Sequence, residues 1–471
     1  MGSTFGSFEI GRRALHAQQK GAQVTGQNIA NANTEGYSRQ LVLMKALVPP
    51  AAPGVETPPG YGVAISDIRR IKSEFYGDQI MKSTTSQNYW KRVRETLDGI
   101  EIIFQEPEET GINTALNEFF DAWQDLSVNP ESHAVRLSLR EQAEALTGLV
   151  RDIYGRLDEL KFDVRKELQA TLTQINTLAA EIADLNKKIT YLQALGQKSN
   201  ELLDQRDLCL QELSKHVNIR VNEKVGGSLE VLAGGCILLH DDRHFDLEIS
   251  EEGGKLAVCN EIGAELSIRE GDGAIAGLLD SYNTIFPRYQ GALNELVFNL
   301  VQKVNDLHKN GYGLDGSTTG IDFFTDIEEQ NANTAALHFS ISDAIKDDLN
   351  KIAAASQADH PGDGSNALKI AQLREKLVMG GPPGDETTTF HDYFRGVMAD
   401  LGVEGREAER MSLAMERVME SLQEKQESIS GVSLDDEMLN LVQYQHAYNA
   451  AARFLNVLDE MLGVLFSEIG S

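Results

Sequence analysis

Apolar positions recur every seven residues at both ends of this chain and through a long interior stretch, whereas the segment after His216 alternates over short runs. At the C-terminus Leu434, Leu441, Tyr448, Leu455, Leu462 and Ile469 hold one heptad position, and Tyr444, Ala451, Leu458 and Leu465 follow three residues behind four of them. The spacing predicts a coiled-coil helix over 430–471, set off by Ser430-Gly431 and interrupted in its second row only by Glu437. At the other end a helix is expected from about Thr4 to Asn31, with Phe8, Leu15, Ala22 and Ile29 in one row and Ile10, Ala17 and Val24 in another. Ala14, Ala17, Gly21 and Ala22 are small enough for a second helix to come close. Asn31, Asn33 and Gly36 tolerate the left-handed backbone of a helix C-terminus.

Between these ends, Val48 to Gly62 concentrates Pro and Gly and reads as an extended connector, followed by one strand over Val63–Ile71. Glu74 to Leu195 is expected to be helical with breaks at Pro107, Gly111 and Asn129-Pro130. Its later part keeps the heptad through Leu168, Ile175, Ile182 and Ile189, with Thr171, Leu178, Leu185 and Leu192 three residues behind. From His216 to about Ile268, β-branched runs alternate with Gly pairs and charged turns, the pattern of an antiparallel β insert. Helix returns over Ala274–Leu307, turns dominate Gly311–Ser342, and Thr387–Ile429 is helical with Met411, Met415, Val418, Leu422 and Ile429 on one face.

The fold class that follows is mainly α with a small β insert: terminal coiled-coil helices, a central long-helix bundle and a compact antiparallel β domain. The expected divisions are 1–47 (packing with 430–471), 48–215 (connector and helical bundle), 216–273 (β domain), 274–429 (return to the bundle, loop-rich over 311–342) and 430–471. The chain leaves one place, builds a globular excursion and returns. Two apolar rows on each terminal helix exceed what one partner covers, and periodicity leaves two readings open: ends that stay loose in the monomer and order on bundling with neighbouring subunits, or an ordinary intramolecular bundle.

Composition narrows the partners. Lys plus Arg number 43 against 72 Asp plus Glu, a formal charge of −29 that is repelled by nucleic acid and anionic membranes. The N-terminus has no apolar core with a small-residue cleavage site, so no cleaved signal peptide is expected. No run reaches the ~18 apolar residues of a membrane span. Cys209, Cys236 and Cys259 are odd in number and widely spaced, which suits neither a disulfide framework nor a zinc site.

Five segments carry a resemblance. NIANANTEGYSRQ (28–40) resembles the N-terminal signature of flagellar axial proteins, and SGVSLDDE (430–437) the start of their C-terminal helix. ELLDQRDLCLQELSKHVNI (201–219), VNDLHKNGYGLDG (304–316) and HPGDGSNALKIAQLR (360–374) resemble, in the same order, blocks of the hook-associated protein 1 (FlgK) family. That resemblance implies a structural subunit of the hook–filament junction, outside the cell on the flagellum. Its implied partners are further copies of itself, the hook protein, the second junction protein, the flagellar type III export apparatus and a dedicated chaperone on the C-terminal helix. On this chain the subunit-packing residues would be Phe8, Leu15, Ala22 and Ile29, with Leu434, Leu441, Tyr444, Tyr448, Leu455, Leu458, Leu462 and Leu465 for packing and chaperone binding. The signature residues are Asn31, Asn33, Gly36, Tyr37 and Arg39, and the interior motifs contribute Asp204, Arg206, Asp207, Asn305, His308 and Gly311. Glu35 stands where relatives often carry a small residue or Pro.

Catalytic chemistry finds little to stand on. There is no HExxH, GxSxG or GxxxxGK[ST], and no cofactor or metal is expected. His240 and His244 flank two aspartates, but on a strand four residues span roughly 13 Å and would not converge unless the turn folded them back. Asp315, Asp322 and Asp326 lack the acidic spacing of an EF-hand. Cys209 is expected in a core. Arg206, between Asp204 and Asp207, is expected in a buried charged network that fixes a helix end. Tyr37 and Arg39 suit either a subunit contact or an intramolecular cap. Other readings are another axial protein (rod, hook or second junction protein), a secreted hydrolase anchored by a coiled coil, and a cytoplasmic coiled-coil module.

Overall fold

The computed structural model describes residues 2–47, 60–104, 111–224, 226–381 and 386–469. Most of the expected connector and the break at Pro107 lie outside the described residues, as do the side chains of Leu465 and Ile469. The chain divides into two compact units, one of residues 1–84, 175–246 and 415–471, the other of 85–174 and 247–414.

The first unit holds helix α1 (Gly2–Ala30), an antiparallel hairpin of β1 (Gln40–Ala46) and β2 (Val63–Arg70), and helix α5 (Asn200–His216). It also holds α11 (Leu434–Ile469) and the four-stranded antiparallel sheet β3 (Ile219–Glu223), β4 (Leu229–Ala233), β5 (Cys236–His240), β6 (Arg243–His244). Strand β1 falls in the expected division 1–47 beyond the helix expected to end near Asn31, where no strand is expected; its apolar run pairs with β2 from Gln40–Arg70 to Ala46–Val63. Helices α2 (Glu74–Phe104), α4 (His133–Ala194) and α10 (Phe390–Ser430) contribute residues to both units. Along α4, Leu168, Ile175, Ile182 and Ile189 are buried as the heptad predicts. In the expected second row Thr171 and Leu185 are buried too and Leu178 and Leu192 half-buried, and Leu172, Ala179 and Asn186, four residues after the first row, widen the buried stripe, because a 3.6-residue turn places steps of three and of four on one face.

The second unit is built on α3 (Ile112–Val128) and α7 (Phe286–Lys309), with α9 (Ser365–Ala371) against α3. Phe119, Trp123, Phe323, Phe324 and Phe339 fill its core, with ring centroids 4.9 to 6.4 Å apart in tilted or edge-on contacts.

The segment 216–273, expected as one compact β domain, instead forms two separate sheets. Strands β3–β6 belong to the first unit, whereas β7 (Leu247–Glu252) and β8 (Lys255–Asn260) form a hairpin in the second. Each sheet is tied to a different helix by one asparagine. Asn186 Nδ2 donates to the carbonyls of Leu229 and Asp241 at 3.2 and 2.8 Å. Asn283 accepts from the Leu256 amide and donates to its carbonyl, both at 2.8 Å. Asn283 lies in a π turn (Ser281–Ile285) between α6 (Ala274–Asp280) and α7, where Ser281 bonds Thr96 and the Gly277 carbonyl.

Candidate functional site: the terminal helix pair and its clasp

Helices α1 and α11 pack antiparallel. Gly11 lies against Leu455, Gly21 against Tyr444, and Asn28 bonds Glu437. A Cβ at Gly21 would stand 2.5 Å from the Tyr444 ring and one at Gly11 2.5 Å from Leu455 Cδ2, so only glycine lets the helices approach this closely. In an open helix, Gly→Ala gains about 1 kcal/mol, and Gly26, with nothing near its Cβ position, is expected to behave that way. Gly21→Ala should reverse the sign and destabilise by about 1–3 kcal/mol through overpacking. Urea unfolding of the two variants side by side checks this; equal stabilisation of both would remove the notch from the account.

Beyond Gly21 the contact becomes polar. Asn28, 1% exposed, uses both donors and both acceptor sites of its amide: Nδ2 donates to the Gln40 carbonyl (2.9 Å) and Glu437 Oε2 (3.0 Å). Its Oδ1 accepts from the Gln40 amide (3.0 Å) and the Tyr37 hydroxyl (2.9 Å). Glu437, 2% exposed, takes Arg39 Nε on its other oxygen at 2.7 Å, and the Arg39 amide donates to the Ser430 carbonyl at the end of α10. Burial, with the charges of Asp204, Glu201 and Glu437, pushes Tyr37 up to about 12, so its hydroxyl stays a donor.

The clasp continues into α5. Gln27 Nε2 donates to Glu201 Oε1 at 2.6 Å, and Asn200 Nδ2 to Gln40 Oε1 at 3.0 Å. The Ser38 amide donates to Asp204 Oδ2 at 3.3 Å, and Arg70 reaches Asp204 and Asp207, both at 2.8 Å. Burial works against the Arg70 charge, yet Asp207 and Asp204 hold its pKa above the ordinary arginine value. Arg206, expected in a network with its flanking aspartates, is buried but turns the other way, donating to Asn186 Oδ1 (3.0 Å) and the Gly227 carbonyl (2.6 Å). On a helix, immediate neighbours point apart, so the aspartates take Arg70 from β2 instead.

The other expected site residues fall as follows. Phe8, Leu15, Ala22 and Ile29 are half-buried, as are Leu441, Tyr444, Leu455 and Leu462; Leu458 is buried, and Leu434 and Tyr448 are exposed. Asn31 Nδ2 donates to the Gln27 carbonyl, Asn33 is exposed, and Gly36 takes a φ of +76° where the chain turns back. In the second unit Asn305 caps the Phe323 and Phe324 amides with Oδ1 and donates to the Phe324 carbonyl, each at 3.0 Å. His308 is fully buried between the Ile321 carbonyl and the Ala353 amide, and a Cβ on Gly311 would overlap Asn366. Cys209 is half-buried rather than core, its Sγ 3.8 Å from Glu181, because it lies at the edge of the α5 apolar stripe. His240 pairs with Glu230 at 2.9 Å and His244 lies near Asp246. Among the described residues no group of three or more His, Cys, Asp or Glu comes together to hold a metal, and no helix is long and apolar enough to cross a membrane.

Glu437, Asn28, Gln40, Glu201 and Arg70 were not singled out from the sequence as site residues. Glu437 did give a signal: a carboxylate at an apolar heptad position must find a cation or a donor.

Compared with known proteins, the chain is 31% identical over 507 aligned residues to flagellar hook-associated protein 1 of Bacillus subtilis, covering 100% of this chain and 99% of the relative. The chain belongs to the flagellar hook-associated protein 1 (FlgK) family. A model of the FlgK helical domain matches residues 97–324, and models of flagellar rod proteins match 8–37 and, as a rod-protein C-terminal region, 425–467. The family's Escherichia coli member is 24% identical over 545 residues, covering 96% of this chain and 98% of that protein. The fold is shared with the solved flagellar hook junction protein FlgK from Burkholderia pseudomallei: TM-score 0.64 at 15% identity, covering 75% of this chain and 100% of that one. This is a structural flagellar family, and the two rod-protein matches fall on α1 with the signature after it and on α11, the elements the clasp joins.

Proposed function

We propose that this chain is a non-enzymatic subunit of the hook–filament junction, placed outside the cell, that polymerises through α11 and α1. The observation that carries the reading is an apolar face of α11 left uncovered after α1 has packed. Met438, Val442, Val457, Met461 and Val464 are 49 to 61% exposed, well over what scattered surface apolar residues require. Its occupants would be neighbouring copies, with the hook protein and the second junction protein at the two borders. The same face suits a dedicated chaperone before export through the flagellar type III pathway, which requires no cleaved signal peptide.

Val457→Asp with Met461→Asp is expected to leave the monomer folded and to abolish incorporation on hooks, measured by binding of purified protein to hook–basal bodies. Leu455→Asp is a poorer probe, since Leu455 faces Gly11 and its loss also opens the monomer. Wild-type incorporation of the double variant would defeat the reading.

A further inference from the structure

Assembly does not itself require a carboxylate and an amide buried at one end of an apolar helix pair. Heptad rows are nearly interchangeable one repeat along, and a single buried polar pair is the device that makes one register cheaper than its neighbours. Here the two helices run in opposite directions, and the polar pair lies at one end of their contact, Asn28 against Glu437, with Tyr37 and Arg39 completing it.

We propose that Glu437, Asn28 and Arg39 are the register pin of the terminal helix pair, fixing which residues of α11 face α1 and hence which apolar face is turned outward. A slip of one heptad would take Glu437 away from both Asn28 and Arg39 and, in the direction that carries it toward Gly21, leave a buried carboxylate without donors. Apolar contacts alone do not impose that penalty, because an apolar row shifted by seven meets another apolar row. The Gly21–Tyr444 notch is the rival: it too is matched in one register only. That this pin orients the surface used in assembly rests on the reading above; the register itself does not.

The two are separated on the soluble full-length chain, with Cys209, Cys236 and Cys259 changed to Ser and spin labels on the exposed positions Gln19 of α1 and Gln445 of α11. A one-heptad slip moves one label by about 10 Å along the pair. With the native clasp, double electron–electron resonance should give one narrow distance. Glu437→Leu, which removes the charge and keeps the apolar row, should add a second population at longer distance, because the two labels start level with one another across the pair, with helix content by circular dichroism unchanged. A single native distance in Glu437→Leu would overturn the pin. Tyr444→Ala empties the notch and keeps the clasp, so it should retain the native distance; a displaced population there assigns the register to the notch and overturns the pin even should Glu437→Leu fail to fold. Neither readout involves hooks, so failure of the assembly reading leaves this result intact, and the reverse.

Discussion

Replacing Arg70 with Met is expected to destabilise the first unit by about 3 kcal/mol, the cost of leaving a buried ion pair without its cation. Arg70 is 15% exposed and lies between Asp204, 8% exposed, and Asp207, 25% exposed. Methionine keeps most of the apolar stem, so the loss reports the guanidinium rather than packing. Asp207 retains Lys72 at 2.7 Å, whereas Asp204 keeps only the long bond from the Ser38 amide, so Asp204 carries most of the penalty. Asp204→Asn in the same background should recover part of it, giving a coupling energy in a double-mutant cycle. Arg374→Met, which breaks the exposed Arg374–Asp121 pair, should cost under about 1 kcal/mol. The measurement is urea unfolding of these variants and of Asp204→Asn alone, with hydrogen exchange locating the loss to residues 38–47, 60–70 and 200–216. An Arg70→Met value no larger than that of Arg374→Met would mean that the carboxylates are solvated and the clasp stops short of α5.

What could be read from the residues, and what could not, follows from the range of the interactions involved. Heptad spacing is local, so the long helices and the inward row Leu168, Ile175, Ile182 and Ile189 were legible. Proline and glycine breaks placed the ends of α3 and α4 for the same reason. The partition of 216–273 into two sheets was not legible, because it depends on Asn186 and Asn283, each a helix residue unremarkable in its own neighbourhood that satisfies a strand 27 to 55 residues away in sequence. The clasp was half legible. Glu437 was visible as an interruption in an apolar row, yet its partners Asn28 and Arg39 lie 409 and 398 residues earlier, a pairing that no periodicity encodes. Arg206 shows the limit of reading charge from adjacency: the sequence sets it beside two aspartates, and helix geometry sends it to the opposite side.

Lowering the pH should destabilise the second unit through His308. Burial, reinforced by the positive charge of Arg136, depresses its pKa from the ordinary 6.5 to about 4, and the hydrogen bond to Ile321 offsets this only in part. Its bonding fits the neutral ring alone. Nδ1–H donates to the Ile321 carbonyl at 2.7 Å while Nε2 accepts from the Ala353 amide at 2.9 Å, so a proton on Nε2 would meet another N–H. Arg136, itself 1% exposed, is held by the carbonyls of Pro130, Leu349 and Ile352 and would lie beside a second buried cation. The unfolded chain takes up the proton below about 6.5 and the folded chain only below about 4, so the contribution is complete above 6.5 and declines as pH falls through that window. At about 1.4 kcal/mol per pH unit it amounts to roughly 3 kcal/mol at the acid end. His308→Gln can keep one donor and one acceptor but cannot titrate. Between pH 7.5 and 4.5 the denaturation midpoint should fall more steeply in the parent than in His308→Gln, the carboxylates common to both cancelling in the difference. Parallel slopes would show that the imidazole can take its proton without opening the loops around Ile321 and Ala353, and the buried histidine would then set the position of those loops without setting their tolerance of acid.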